Sequence, residues 1–396
     1  MDAKASFIGA ETCCPDYCFP NKLEDIKVLS HAIHCYPQGA KAYYYLGCLY
    51  YDKLQFESAI ELWEMSEKLD HEFPTVLRNL AIGYYNKLND PAKAVEKLER
   101  AFALNRKDAR VFLELDQLYK KTGMAPEKRL SNFEQSIDLI QERDDLYIEY
   151  VTLLNLCGKH CQAYEAIMAH TFRAWEGGEG KISAQYKTAL LEIARTNIQE
   201  NHIGEAEKNL RKALEYPENL GEGRLEGTKD NHIYYTLGCV LEMLNRTGQA
   251  QECYRKACEG KGQVAGMLYY NDQPADMILY QGLAAARLGR NREAAACFHR
   301  LIDYGERHIR DDVRLDYFAV SLPDFLIFEE DLKVRNQAHC YYLLGLGNLG
   351  LKNYEQAVQC FDQALNLDPS HQNALNYKKR ILLKDMGGSH NVGITF

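Results

Sequence analysis

The chain has 396 residues and a formal net charge of −9, from 56 acidic and 47 basic residues. With no run of Lys or Arg in it, that balance argues against nucleic acid as a partner and, by the same sign, against non-specific attachment to anionic membrane. No stretch reads as membrane-spanning. The opening MDAKASFIGAETCC lacks the continuous apolar core of a signal peptide, and the thirteen cysteines are expected as reduced thiols in a cytoplasmic setting.

In chain order, residues 1–20 carry Pro15 and Pro20 and no periodicity, and are expected to be extended. Cys13, Cys14 and Cys18 lack the second pair that a metal site needs, so neither a metal nor another cofactor is expected. From Asn21 to Tyr36 the pattern is that of the second helix of a helix pair without its first, an orphan helix. Helix pairs then recur near 40–73, 74–108, 109–143, 144–170, 187–218, 231–260, 275–304 and 338–369. A polar-faced helix over 370–385, with Ala374, Tyr377 and Ile381 on one side, is expected to cap the array, and 386–396 reads as a Gly-rich flexible tail.

The clearest unit is Ala338 to Pro369. Tyr341 and Leu344 stack on one helix face, Gly345 allows close approach of a second helix, and Ala357, Phe361 and Ala364 occupy the facing positions. This pattern resembles a tetratricopeptide repeat. Gly47 and Gly238 hold the place of Gly345 in two other units, and Trp63 falls at the Phe361 position and reads as core. The expected fold is all-α: a right-handed superhelical solenoid of about eight helix pairs over 21–385, with the orphan helix, the capping helix and four loop insertions on one edge.

Those insertions follow the fourth to seventh pairs: HTFRAWEGGEGK, YPENLGEGRLEGTKDN, EGKGQVAGMLYYNDQP and YGERHIRDDVRLDYFAVSLPDFLIFEEDL. Each joins the second helix of one pair to the first helix of the next, so they emerge along the same edge. Solvated linkers need none of their aromatics. Trp175, Glu176, Glu179, Asn219, Glu222, Tyr269, Tyr270, Asn271, Asp272 and Asp324 are therefore the candidate ligand-binding residues, expected to converge on one pocket. The alternative is that the aromatics plug gaps between repeats. The loop words FRAWEGGEGK, YPENLGEG, YYNDQP and YFAVSLPDFLIFEEDL resemble those of a bacterial family of large tetratricopeptide proteins. In that family an N-terminal β-sandwich domain of unknown function, similar to galactose mutarotases, precedes the repeats. The resemblance implies that such a domain is missing here, consistent with the orphan helix.

No phosphate-binding Gly-Lys-Ser/Thr loop, His-Glu-x-x-His or Gly-x-Ser-x-Gly occurs, and no catalytic residue is assigned. The expected role is a non-catalytic scaffold for protein–protein or domain–domain interaction, with Tyr44, Tyr51, His232, Tyr235 and Glu242 lining the groove formed by the first helices. A receptor for acidic chaperone tails is not expected, because Tyr44 and Cys48 stand where Lys and Asn would be needed. The alternative is an accessory region that recognises or processes a saccharide through the loops, where aromatic faces stack on sugar rings and carboxylates and amides bind hydroxyls.

Overall fold

The computed structural model describes residues 3–15, 18–173, 178–225, 227–264, 273–313 and 327–386, with side chains from residue 6 to residue 382. They form two compact units, Met1–Thr122 with Leu326–Glu329, and Gly123–Phe325 with Glu330–Phe396. The first contains α1 (Ala3–Glu11), α2 (Leu23–Cys35), α3 (Ala40–Asp52), α4 (Phe56–Leu69), α5 (Pro74–Asn86), α6 (Pro91–Leu104) and α7 (Ala109–Lys121). The second begins with α8 (Pro126–Glu134), α9 (Ile137–Ile140), α10 (Asp144–Leu156), α11 (His160–Ala169), α12 (Lys181–Gln199) and α13 (Ile203–Lys212). It continues with α14 (Asn231–Met243), α15 (Thr247–Ala257), α16 (Asp276–Arg287), α17 (Asn291–His308), α18 (Leu332–Gly350), α19 (Tyr354–Leu367) and α20 (Gln372–Met386). No strand occurs among the described residues, and no helix there is long and apolar enough to cross a membrane.

Successive helices pack as pairs: α3 on α4, α5 on α6, α14 on α15, α16 on α17 and α18 on α19. One small residue on each first helix makes the contact possible. A Cβ built on Gly47 would lie 2.6 Å from the Trp63 ring, one on Gly238 2.5 Å from Tyr254, and one on Gly345 2.4 Å from Phe361. Each ring therefore lies directly against bare backbone. Trp63, Tyr254 and Phe361 are each no more than 3% exposed, as are the alanines Ala59, Ala250 and Ala357 one turn earlier on the same helices. The polar tips also find partners: the Trp63 indole N–H donates to the Tyr44 carbonyl at 3.2 Å, and the Ser66 hydroxyl to the Ala40 carbonyl at 2.8 Å.

The turn inside a pair needs one residue in the left-handed region. Gly289 supplies it between α16 and α17, whereas Leu54 and Lys352 take the same corner at φ of 60° and 66°. Here tertiary packing overrides a conformational cost that glycine would not incur.

Two expectations change. The N-terminal segment is helical over Ala3–Glu11, because the residues before Pro15 are good helix formers, and it packs on α3. Its last residue has a definite role: the Glu11 carboxylate accepts the Lys41 backbone N–H at 3.1 and 3.2 Å, capping α3, whose own N-cap, Gly39, has no side chain to do so. The expected second helix of the third pair is broken at Gln135–Ser136 into α8 and the single turn α9. The orphan helix α2 buries no residue completely, and Leu23 and Val28 remain 64% and 65% exposed. The capping helix α20 behaves as expected, with Ala374, Tyr377 and Ile381 all buried.

The glycine contacts yield a direct test. Gly345→Leu forces four carbons into space already filled by the Phe361 ring, and the chain should lose about 1 to 3 kcal/mol of stability. Thermal unfolding followed by circular dichroism should show a lowered midpoint, and an unchanged midpoint would contradict the proposed packing of α18 on α19.

Candidate functional site

At the loop edge of the second unit, the first two insertions do meet. The Phe172 N–H donates to the Asn219 carbonyl at 2.9 Å, and Phe172 itself is buried. Asn219 donates from its side-chain amide to the carbonyls of Ile167 and His170, at 2.8 and 2.9 Å, tying down the end of α11. Glu222 accepts the Gly180 and Ser183 N–H groups at 2.8 and 2.7 Å, so it is the cap of α12. The hydrogen bonds of both residues are spent on the chain's own backbone. Glu179 is exposed at the start of the same turn. Trp175, Glu176, Tyr269, Tyr270, Asn271, Asp272 and Asp324 lie outside the described residues. The second insertion and the end of α15 border a cavity of about 170 Å³ whose wall includes Arg224, Lys229, Tyr234 and Lys256.

On the first-helix face of the second unit, large rings reach across from pair to pair. Tyr235 is 3% exposed, with its ring 5.8 Å from that of Tyr280, and the His232 ring lies 5.9 Å from that of Tyr280. Burial pushes the His232 imidazole down to about 3, with Lys187 opposing its charge further, so the ring is neutral at pH 7. Glu242 pairs with Arg287 at 3.2 Å. The capping helix α20 closes over this face. Gln372 bonds Gln185 at 2.9 Å, the Tyr377 hydroxyl meets that of Tyr280 at 3.0 Å, and Arg380 pairs with Glu192. Glu192 also pairs with Arg195, which donates to the Tyr280 hydroxyl at 3.3 Å. Burial alone would raise the Glu192 carboxyl, but Arg195, Arg380 and His160 more than offset it and hold it near 2. The groove expected around His232 and Tyr235 is thus filled by the chain itself.

The first unit differs. Tyr44 is buried, its ring 4.9 Å from that of Phe73, so it is a packing residue and presents no groove surface. Tyr51, two helical turns further along the same face, is half-buried against Phe56 and Trp63. On α5, Arg78 grips Glu114 with two bonds of 2.6 Å, and Glu114 is 1% exposed.

At the end of α5 this face holds a short segment from far along the sequence. The Asn86 side-chain amide donates to the Ile327 carbonyl at 2.8 Å, and its oxygen accepts the Glu329 N–H at 2.9 Å. Between those two bonds Phe328 is fully buried, its ring edge-on to Tyr85 at 5.2 Å. Lys87 pairs with Glu329 and sits 4.4 Å over the Phe56 ring. Burial raises the Tyr51 hydroxyl above its ordinary range, with Lys87 and the Asn86 amide opposing, which places Tyr51 beside the same cluster. Asn86, Tyr85, Lys87 and Phe328 were not among the sequence candidates. Tyr85 occupies on α5 the position that Tyr51 occupies on α3, so carrying that position into the second pair would have found it.

Stacked helix pairs with glycine-filled crossings, first-helix faces that hold other parts of the chain, and a terminal capping helix define an α-helical repeat protein. Its repeats match the family description "Tetratricopeptide repeat" over residues 338–371 and 232–259. Solved structures of similar fold include YrrB, described as a TPR protein with an unusual peptide-binding site. That chain is 16% identical, with 48% of this chain and 92% of that chain covered and a TM-score of 0.36. The Naa15/Naa10 complex bound to HypK-THB is 14% identical, with 91% of this chain and 58% of that chain covered and a TM-score of 0.42. PilW, a type IV pilus biogenesis factor, is 16% identical, with 58% and 92% covered and a TM-score of 0.32.

The Glu192 cluster predicts a pH dependence. A carboxyl held below its ordinary value contributes stability that is complete above about pH 4.5 and is lost as pH falls toward 2. Glu192→Gln should therefore cost about 3 kcal/mol near neutral pH, because the buried Arg195 and the half-buried Arg380 both lose their partner. The gap between variant and parent in chemical denaturation should narrow steadily below pH 4.5, and a gap that stayed constant down to pH 2 would show that the carboxylate is not the group responsible.

Proposed function

We propose that the chain is a non-catalytic scaffold that binds segments of partner proteins on the first-helix face of its first unit, around Asn86. The observation that carries this reading is the Asn86 side chain, whose amide holds one carbonyl and one N–H of a stretch 241 residues further along the chain. Main-chain groups held in this way give affinity independent of sequence, and neighbouring side-chain pockets then add selectivity. The presence of tetratricopeptide repeats supports the same role. Around Asn86, the aromatic rings of Tyr51, Tyr85 and Phe56 and the cation of Lys87 are the residue types that make such a face adhesive and selective at once.

Selection of randomly displayed peptides on the full chain tests the reading. Peptides with a common motif should be enriched, and their affinity should drop by about 10-fold or more in Asn86→Ala, the loss expected for two hydrogen bonds to a main chain. If nothing enriched depends on Asn86, this face is not a protein-binding surface.

A further inference from the structure

The segment Ile327–Glu329 shows what the face around Asn86 selects. Three features of the segment are read separately. Its main chain is gripped on two sides by the Asn86 amide. Its aromatic side chain is taken out of water completely, edge-on to Tyr85. The acid that follows meets the Lys87 ammonium, which the Phe56 ring also faces. The acidic side chain is 60% exposed, so its pairing steers and orients, while the buried ring supplies most of the affinity.

We infer that the first unit carries a recognition site for an extended peptide with an aromatic residue followed directly by an acidic one, and that residues 327–329 are an internal occupant of that site. The inference rests on the scaffold reading and adds the ligand's chemistry and its regulation. The occupant is a segment of a partner protein with the sequence character of Ile-Phe-Glu, because this chain's own copy of that sequence is what the site already holds. Tethering gives the internal segment an effective concentration on the order of millimolar, so a partner peptide of ordinary affinity must compete with it. A partner therefore gains access only in proportion to the time that the segment is released.

The probe is a fluorescein-labelled peptide, Leu-Ile-Phe-Glu-Glu-Asp, the sequence of residues 326–331, titrated by anisotropy against the full chain. Phe328→Ala should weaken the internal occupant, and the peptide should bind this variant at least about 10-fold more tightly than the unaltered chain. Adding Asn86→Ala to Phe328→Ala should remove most of that gain, and a peptide with Ala in place of Phe should not bind. Because Phe328 is buried, Glu329→Lys provides a second route: this exposed change should also open the site, and the reversed peptide Leu-Ile-Phe-Lys-Glu-Asp should bind Lys87→Glu, in which the internal Glu329 is repelled by the new carboxylate. Equal peptide affinity for unaltered and Phe328→Ala chains would overturn the internal occupancy. No binding to either opened variant would overturn the recognition site. Concentration-dependent dimers of the unaltered chain that Phe328→Ala abolishes would make a second copy the occupant and overturn the partner assignment. If the display selection above enriches Asn86-dependent peptides without an aromatic–acidic pair, the scaffold reading stands and this inference falls.

Discussion

The close approach of a ring to a bare helix backbone sets the geometry on which everything else in this chain rests. At Gly47, Gly238, Gly282 and Gly345 the ring of the partner helix lies where a Cβ would be, at 2.4 to 2.6 Å from its ideal position. That distance is below any van der Waals contact, so only glycine permits the crossing. The crossing in turn fixes which residues of the first helix face the partner and which face outward. The outward set inherits its direction from a contact made on the other side of the helix. In α5, Gly83 faces Ile60 on α4, while Tyr85 and Asn86, just beyond it, take up Phe328 and its flanking main chain.

The two units put the same face to different uses. In the second, the rings of Tyr235, Tyr280, Tyr342 and Tyr377 form a continuous layer, and beside it Glu192 is balanced against Arg195 and Arg380, while the buried Asp230 pairs with Lys187 and with the exposed Arg224. Such a layer is expensive to open, because every buried charge would lose a partner at once. In the first unit, the face carries an amide, a cation and rings around one short segment. One of the three side chains of that segment is largely in water, as the exchange proposed above requires. An interaction scaffold needs this combination of a fixed frame and a replaceable filling.

The helix register was legible in the sequence because it depends on size alone. Gly345 with Phe361, Gly47 with Trp63 and Gly238 with Tyr254 are pairs whose volumes must add to a constant, and such pairs leave a mark at fixed spacing. The loop residues leave no such mark. Asn219 and Glu222 have the composition of ligand groups, yet their bonds go to Ile167, His170, Gly180 and Ser183, because a helix end without a local cap takes one from wherever a carboxylate or amide can reach. The same need explains Glu11, which sits in a segment that two prolines made look extended and which caps α3. Tyr44 and Tyr235 were placed on the groove by position, but a tyrosine is long enough to cross to the next pair and be buried there. The Asn86 site was missed because half of it lies hundreds of residues away, in a stretch with no periodicity to anchor it.

A stack of helix pairs whose members touch only their neighbours is a ladder, and ladders come apart rung by rung from the ends. The contacts of α20 with α12 change that topology in the second unit. Gln372 with Gln185 and Arg380 with Glu192 join the last helix to one that precedes it by eight in the chain. The stretch from α12 to α20 is thereby closed on itself, and α20 is no longer a free end rung. Loss of α20 removes support from α12 and α18 together, and the helices between them cannot fray one at a time without breaking that closure. Amide protons along α14, α16 and α18 then share a single opening event, with the slow exchange of a globular domain in place of the graded exchange of a linear array.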